Sequence, residues 1–339
     1  MAKKSFVWTE ERLELLRKLS TEGFDAAQCA AKLKCNVTSI QNARTRYSIR
    51  TIKKVEPKAG IHDVLQMPPA PFAVGFPSIA TPKKGRELVA LAYTDSHFPF
   101  QDDKALNIIK YVIKDLKPDI IVHGGDLLDC WQISRFDKDP NRRDTLQDNI
   151  DQARQHLHEV TQLSPKAKHV LLEGNHEARL TAAIWRLDGA QREFAKLRIF
   201  QQTMTWPKLL DLAPINWQWV PVREQSHTPI LPKLITKHGD KVNKWSAMSG
   251  KAEWEKYGHS GISGHTHRLG QFFHQDHNGT ATWSELGCTC SLTPQYGSDF
   301  DWQQGFGVLR WSKDYKILHT ELMSIRDGAT IWNSKVIEG

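Results

Sequence analysis

A chain of 339 residues with 40% hydrophobic and 25% charged residues can bury a large core and form one or two domains. No apolar run approaches the ~20 residues of a membrane-spanning helix, and Met1-Ala2-Lys3-Lys4 opens no signal-type segment, so no membrane partner and a cytoplasmic location are expected. The net charge of +8 sits almost wholly in residues 1–58, where 13 Lys and Arg face 6 Asp and Glu; this fits a head that meets a polyanion, although a merely solvated basic surface would read the same.

Residues 8–48 read as three short helices. Thr9 caps the first, Glu10 and Glu11 occupy its favourable first turn, and Leu13, Leu15, Leu16 and Leu19 form its apolar stripe up to Gly23. Asp25 to Gln28 makes a capping box for a second helix reaching about Lys34. After the turn Cys35-Asn36-Val37, Thr38 to Gln41 makes another for the third. Ile40, Ala43 and Tyr47 should face inward, leaving Ser39, Asn42, Arg44, Thr45 and Arg46 outside. Asn and Arg read adenine and guanine edges, and Arg also grips phosphate. Residues 1–50 loosely resemble the helix-turn-helix heads of some bacterial transcription regulators, which implies DNA as the partner; a three-helix protein-interaction module is the alternative.

Residues 51–86 carry Lys53, Lys54 and Lys58 and the prolines 57, 68, 69, 71, 77 and 82 without any period, as an extended linker would. From 87 to 339 strand and helix alternate. Strand 88–93, helix 103–114, strand 119–123, helix 143–163, strand 168–172 and a helix over about 177–187 come first. A helical insert plus one strand is expected over 190–230, then strand 233–237, helix 247–257 and strand 260–264. From Phe272 the pattern is all β, with a hairpin at His277-Asn278-Gly279. Strands 280–286, 307–311 and 316–322 should complete a second sheet.

Five of these strands end alike. Strand 88–93 leads to Asp95-Ser96-His97, and strand 119–123 to Gly124-Gly125-Asp126-Leu127-Leu128-Asp129. Strand 168–172 leads to Gly174-Asn175-His176-Glu177, strand 233–237 to His238-Gly239, and strand 260–264 to Gly264-His265-Thr266-His267. The carboxyl end of a strand is where α/β proteins place ligands, and each stretch offers a metal-type donor there.

In this order and at this spacing the set resembles the calcineurin-like metallophosphoesterase family, over roughly residues 88–325. The resemblance implies a four-layer α/β/β/α sandwich holding two divalent cations. It implies Asp95, His97, Asp126 and His267 around the first. Asn175, His238 and His265, with Asp126 as the bridge, complete the second. His176 is then expected to steady the phosphate and protonate the leaving oxygen, with Asp129 orienting it in its charged form. Nitrogen and oxygen donors without thiolate suit Mn, Fe or Zn, and Mn is favoured.

The family's phosphoprotein phosphatases carry Arg after the acid matched by Asp129, where this chain has Cys130. That departure weakens a protein-phosphatase reading; Arg135, Arg143, Arg179 and Arg268 are candidate replacements, with a plain surface charge the expected reading of any one of them. The five cysteines (29, 35, 130, 288, 290) form no disulfide framework, and the alternation Cys288-Thr289-Cys290 predicts buried thiols rather than a metal site. His123 is expected to pack at a strand end. His156, His158, His169 and His319 are expected half-buried or facing solvent, and His259 and His274 are candidates to orient the ligands. In the loop 292–306, Tyr296 and Trp302 either stack on a base or pack the rim.

The reading that joins these features is a metal-dependent phosphodiesterase, a DNA nuclease recruited by its basic head, with a homodimer left open. Its rivals are a phosphomonoesterase for nucleotides or phosphoproteins, and a DNA-binding regulator whose second domain is idle.

Overall fold

The computed structural model describes residues 8–22, 24–47, 49, 87–221, 227–277, 279–294 and 300–339. The chain divides into two units, Met1–Pro68 and Pro69–Gly339. The linker expected over 51–86 lies outside the described residues, as do Gly23, Asn278 and Tyr296.

The first unit is three helices, α1 (Glu10–Thr21), α2 (Ala26–Leu33) and α3 (Val37–Arg46). Thr9 caps α1, and the Asp25–Gln28 box closes both ways at 2.8 and 2.9 Å. The start of α3 differs from expectation. Asn36 is its cap, accepting from the Ser39 N–H at 2.7 Å, so the helix begins before Thr38. Lys34 takes the left-handed conformation that ends α2, which sets the top-ranked capping residue Asn36 in extended geometry just in time. Leu16, Leu19, Cys29, Ala30, Leu33, Ile40 and Ala43 make the core.

The second unit runs β1 (Leu88–Tyr93), α4 (Asp103–Leu116), β2 (Ile120–His123), α5 (Leu146–Leu163), β3 (Lys168–Leu172) and α6 (Ala178–Trp185). Three short helices follow, α7 (Gly189–Ala195), α8 (Arg198–Thr203) and α9 (Trp206–Leu209). Then come β4 (Trp217–Val220), β5 (Thr228–Pro229), β6 (Leu234–Thr236), α10 (Met248–Tyr257) and β7 (Ser260–Ser263). The chain ends in β8 (Leu269–Asp276), β9 (Gly279–Leu286), β10 (Gln304–Ser312), β11 (Ile317–Ile325), β12 (Ala329–Trp332) and β13 (Lys335–Glu338). Helix α5 starts three residues later than expected because Thr145 closes a capping box with Asp148. Among the described residues no helix is long and apolar enough to cross a membrane.

One sheet has the order β11-β10-β1-β2-β3-β4, with β1 to β4 parallel; the other is β5-β6-β7-β9-β8. This corrects one expectation. Strands β10 and β11 do not join the second sheet; β10 pairs antiparallel with β1, and β11 lies beyond it. Only β8 and β9 extend the second sheet, and the β12–β13 hairpin went unpredicted.

Alternation along the strands builds the layers. Leu91, Tyr93, Ile121 and Leu171 face Ile108, Ile109 and Val112 of α4 and Ile150, Leu157 and Val160 of α5. The intervening residues, Ala90, Ala92, Val122, Val170 and Leu172, face Leu234, Ile262 and Leu286 of the other sheet. Helix α10 packs on that sheet, where Trp283 of β9 lies against Gly250 of the helix. The result is the four-layer α/β/β/α sandwich. Strands buried on both faces are apolar throughout, so the polar residues gather in the loops at their carboxyl ends.

Candidate metal centre

Five loops meet at that edge. The β1 loop is laced to the β2 loop by backbone bonds from Asp95 N to Gly125 O and from His97 N to Asp126 O, both 3.0 Å. Asp95, His97, Asp126, His265 and His267 all have φ between +50° and +71°, a conformation non-glycine residues rarely hold without surrounding support. Gly174 is required by close approach, since a Cβ there would lie 2.0 Å from Asp126 Oδ1.

All seven predicted metal-type residues converge. His267 Nε2 lies 3.2 Å from Asp95 Oδ1 and 3.1 Å from His97 Nε2. On the other side, Asn175 Oδ1 lies 3.0 Å from His238 Nε2 and 2.7 Å from His265 Nδ1. Asp126 Oδ2 stands between the groups, 3.7 Å from His97 Nε2 and 3.3 Å from His238 Nε2. Two sets of donors, Asp95–His97–His267 and Asp126–His238–His265, are each close enough to share one ion.

The donor chemistry fits cations. His238 Nδ1 donates to Gly124 O at 3.0 Å, so its Nε2 is the nitrogen aimed at Asp126 and Asn175. His97 turns Nδ1 toward Asp129 Oδ2 at 3.5 Å, and His267 turns Nδ1 toward Cys290 Sγ at 3.9 Å. Their Nε2 atoms therefore face one another, which repels unless a proton or a cation lies between. Ligand bonds of about 2.1 Å place neighbouring donors roughly 3.0–3.4 Å apart in octahedral or tetrahedral shells. That range takes in the 3.1 and 3.2 Å separations about His267 and the 3.0 and 3.3 Å separations about His238, with the others running from 2.7 to 3.7 Å.

Electrostatics agree. Burial opposes the charge on every member, yet the imidazoles hold Asp95 and Asp126 far below the carboxylate range. Burial likewise opposes the imidazolium forms, but Asp126 lifts His238 to about 9 and Asp95 lifts His267 to about 9. His97 is also raised, by Asp129, Asp95 and Asp126 against burial. His265 goes down, through burial and then the neighbouring His238.

His176 and Asp129 lie together, with a difference from expectation. His176 Nδ1 is 2.8 Å from the Asp129 carbonyl oxygen and 3.3 Å from its Oδ2, while that carboxylate is shared with His97. Arg179 donates to the same carbonyl at 2.6 Å and to His176 Nε2 at 2.9 Å. A guanidinium only donates, so in this arrangement Nε2 accepts from Arg179 while Nδ1 donates to Asp129.

The residues expected to touch DNA lie in the first unit. Asn42, Thr45 and Arg46 are exposed and Ser39 is half-buried. Arg44 corrects its expectation, because its guanidinium turns inward to Ser20 Oγ at 3.1 Å, Phe24 O at 2.9 Å and Cys29 Sγ at 3.2 Å. The Phe24 carbonyl at the α1–α2 turn, which also accepts weakly from Cys29 Sγ at 3.7 Å, takes the Arg44 guanidinium, so Arg44 ties the helices together.

Other expectations fare variously. Cys29, Cys130, Cys288 and Cys290 are buried thiols, and Cys35 is half-buried. His156 and His169 are buried rather than near solvent, and burial lowers them to about 3 and about 4. His274 packs on Trp254 at 3.9 Å between ring centroids and His259 is exposed, so neither orients a ligand. Trp302 meets the His267 ring at 4.3 Å.

The residue that sequence reasoning passed over is Glu177. Fully buried, its carboxylate accepts from Asp126 N at 3.0 Å, Leu128 N at 2.8 Å and Gly174 N at 2.8 Å. It clamps the β2 loop to the β3 loop. Its only signal was its place in Gly174-Asn175-His176-Glu177, since backbone donors leave no trace in a sequence.

Similar sequences include the Gene 54 proteins of two Mycobacterium phages. That of L5 is 29% identical over 262 residues, 72% of this chain and 96% of its own length; that of D29 is 28% identical over 229 residues, 64% and 86%. Similar solved structures include Vacuolar Protein Sorting 29 from Cryptosporidium parvum, with 12% identity, TM-score 0.37, and coverage of 75% of this chain and 97% of that one. The phosphoesterase Yfce from E. coli has 12% identity, TM-score 0.29 and coverage of 70% and 100%. The calcineurin-like phosphoesterase signature matches residues 89–269, more than half of the chain, and with the converging donor loops this makes the protein a member of the calcineurin-like phosphoesterase family.

Proposed function

We propose that the second unit hydrolyses phosphodiester bonds at two divalent cations, with Mn the expected metal, and that its substrate is DNA recruited by the basic first unit. The observation that carries the metal-dependent reading is the position of Asp126 Oδ2 between His97 Nε2 and His238 Nε2, with further donors on either side. A cation pair held there would neutralise phosphate charge and supply hydroxide at neutral pH. Asp95, His97, Asp126 and His267 would hold one ion, and Asp126, Asn175, His238 and His265 the other.

The chain's own groups do the rest. Arg179 would leave His176 Nε2 for an incoming phosphate, because the guanidinium pairs more strongly with an anion than with a neutral ring. That frees Nε2 to take up a proton from solvent, the imidazolium being favoured by the Asp129 carboxylate beside Nδ1, and then to pass that proton to the leaving oxygen. Asp129 itself is held well below the carboxylate range, where burial is outweighed by His176 and His97.

The nuclease reading draws on the charge of residues 1–58 and on exposed Asn42, Thr45 and Arg46 of α3, in a helix-turn-helix-like arrangement. Digestion of labelled duplex and single-stranded DNA with Mn, with and without chelator, tests it; metal-dependent cutting is expected. Absence of cutting with turnover of small phosphomonoesters would instead favour the rival phosphatase, for which the Arg179 guanidinium at the centre speaks. An idle domain is disfavoured, since every donor is in place.

A further inference from the structure

The loop 240–247 between β6 and α10 exposes large apolar surface yet is held rigidly. Val242 is 68% exposed, Trp245 63% and Met248 42%. The loop is fixed at several points. Arg268 Nη1 donates to Asn243 O, Asn243 N donates to Ser249 Oγ at 2.9 Å, and Lys237 Nζ grips Asp240 Oδ1 at 2.7 Å. Its last residue, Ala247, is left-handed (φ 66°) and lies where a Cβ on Gly270 would come within 2.4 Å of its nitrogen.

One of these fixings reaches the metal-type loop directly. Arg268 follows His267 in sequence. Thr266, between His265 and His267, donates to Glu285 at 2.8 Å, a carboxyl whose pKa burial pushes up. Arg268 also donates to Asp301 O at 3.2 Å, holding a second aromatic segment. There Phe300 stacks on Trp302 at 4.6 Å, and Trp302 lies against His267. Aromatic surface thus flanks Arg268 on both sides, beginning at a candidate ligand.

Charge completes the pattern. Lys244 Nζ sits over the Trp245 ring at 4.8 Å, and neither Lys241 nor Lys244 forms an ion pair among the described residues. Among the described residues Asp240 pairs with Lys237 and Asp301 with Arg268, while Lys241 and Lys244 flank the presented indole. A soluble surface that spends rigidity on exposing an aromatic between lysines suits a flexible polyanion with stackable bases.

We propose that this rim, Lys241, Lys244 and Trp245 with Phe300 beyond Arg268, binds a single polynucleotide strand and leads it to the metal centre. A base stacks on Trp245, and neighbouring phosphates pair with Lys241 and Lys244. The proposal deepens the nuclease reading and rests on it for what happens at the strand's far end.

The test uses the full chain in chelator, so that binding is read without cleavage. A single-stranded DNA oligonucleotide carrying 5-iodouracil is cross-linked by light and the modified peptide mapped by mass spectrometry. Cross-links at Trp245 are expected. Trp245→Ala and Lys244→Glu should each weaken strand affinity about tenfold, the lower range of one lost stack, and Tyr315→Ala, an exposed aromatic on the β10–β11 turn, should not. Cross-links confined to residues 1–58, unchanged affinity in both rim variants, or equal competition by an acidic phosphopeptide would overturn the proposal. Cross-linking at Trp245 by a protein that cuts no DNA with Mn would support the rim while removing the nuclease reading.

Discussion

Replacing Glu177 by Gln isolates the clamp beneath the centre while preserving size and shape. In the wild type Glu177 Oε2 accepts from Asp126 and Gly174, and Oε1 accepts from Leu128. Gln has one acceptor oxygen. Its better orientation keeps the two-bond position and turns the amide NH2 against the Leu128 N–H, so one buried donor is orphaned. That costs about 1–3 kcal/mol. Part is offset because a costly buried charge disappears: burial, and then the adjacent Asp126, raise Glu177 to about 7. Urea unfolding in chelator should therefore show a loss of about 1–2 kcal/mol after that offset. Because Asp126 is the shared donor, calorimetric titration with Mn should weaken by roughly 10–100-fold, as for groups that orient metal ligands. A Gln variant with wild-type stability and Mn affinity would refute the clamp.

Arg179→Lys keeps a positive charge but loses the fork that spans Asp129 O and His176 Nε2. Inhibition by inorganic phosphate and the KM for a phosphoester should each worsen about tenfold, equivalent to roughly one charge-assisted hydrogen bond, with Mn affinity unchanged; equal loss of Mn affinity would contradict a phosphate role. Loading the centre should release protons, because His97, His238 and His267 are raised, the latter two to about 9, and their nitrogens must be bare to bind metal. Mn titrations at pH 7.5 in buffers of different ionisation enthalpy should report about two to three protons, with affinity rising toward pH 9; release of less than one would sink this account. His156, bonded to Tyr93 Oη at 2.9 Å, is lowered by burial from 6.5 to about 3, so the folded state prefers it neutral. Its contribution is complete above 6.5 and is lost as pH falls toward 3, amounting to about 2 kcal/mol between pH 7.5 and 5; His156→Gln should flatten that slope, and an unchanged slope would refute it.

The centre was legible because its donors are side chains at strand ends. Asp95, His97, Asp126, Asn175, His238, His265 and His267 each follow an apolar run, which marks them as strand-end residues, and the resemblance to the family implies which of them hold metal. What stayed hidden depended on partners far along the chain. Glu177 acts on backbone N–H groups, which every sequence contains. Arg44 reads as an outward residue on α3, and its inward turn depends on the Phe24 carbonyl and the Ser20 hydroxyl, twenty and more residues earlier. Strands β10 and β11 were legible as strands, but their sheet was not, because alternation fixes which face is buried and says nothing about which edge is joined. His156 and His169 likewise carry no sign that α5 and β3 face them inward.

The backbone of the centre also bears on how metal would bind. Five candidate ligands are left-handed, at a cost of roughly 1–2 kcal/mol each for residues with a Cβ. That cost is offset by interactions within the protein: the β1–β2 lacing, the Glu177 clamp and the Asp95 carboxylate, whose Oδ2 accepts from Thr94 Oγ1 at 2.6 Å and from His265 N at 3.0 Å. The donor geometry is therefore a property of two packed sheets and their crossing loops. Substitutions that loosen the β1–β2 lacing or the Glu177 clamp should therefore weaken metal binding without touching a donor.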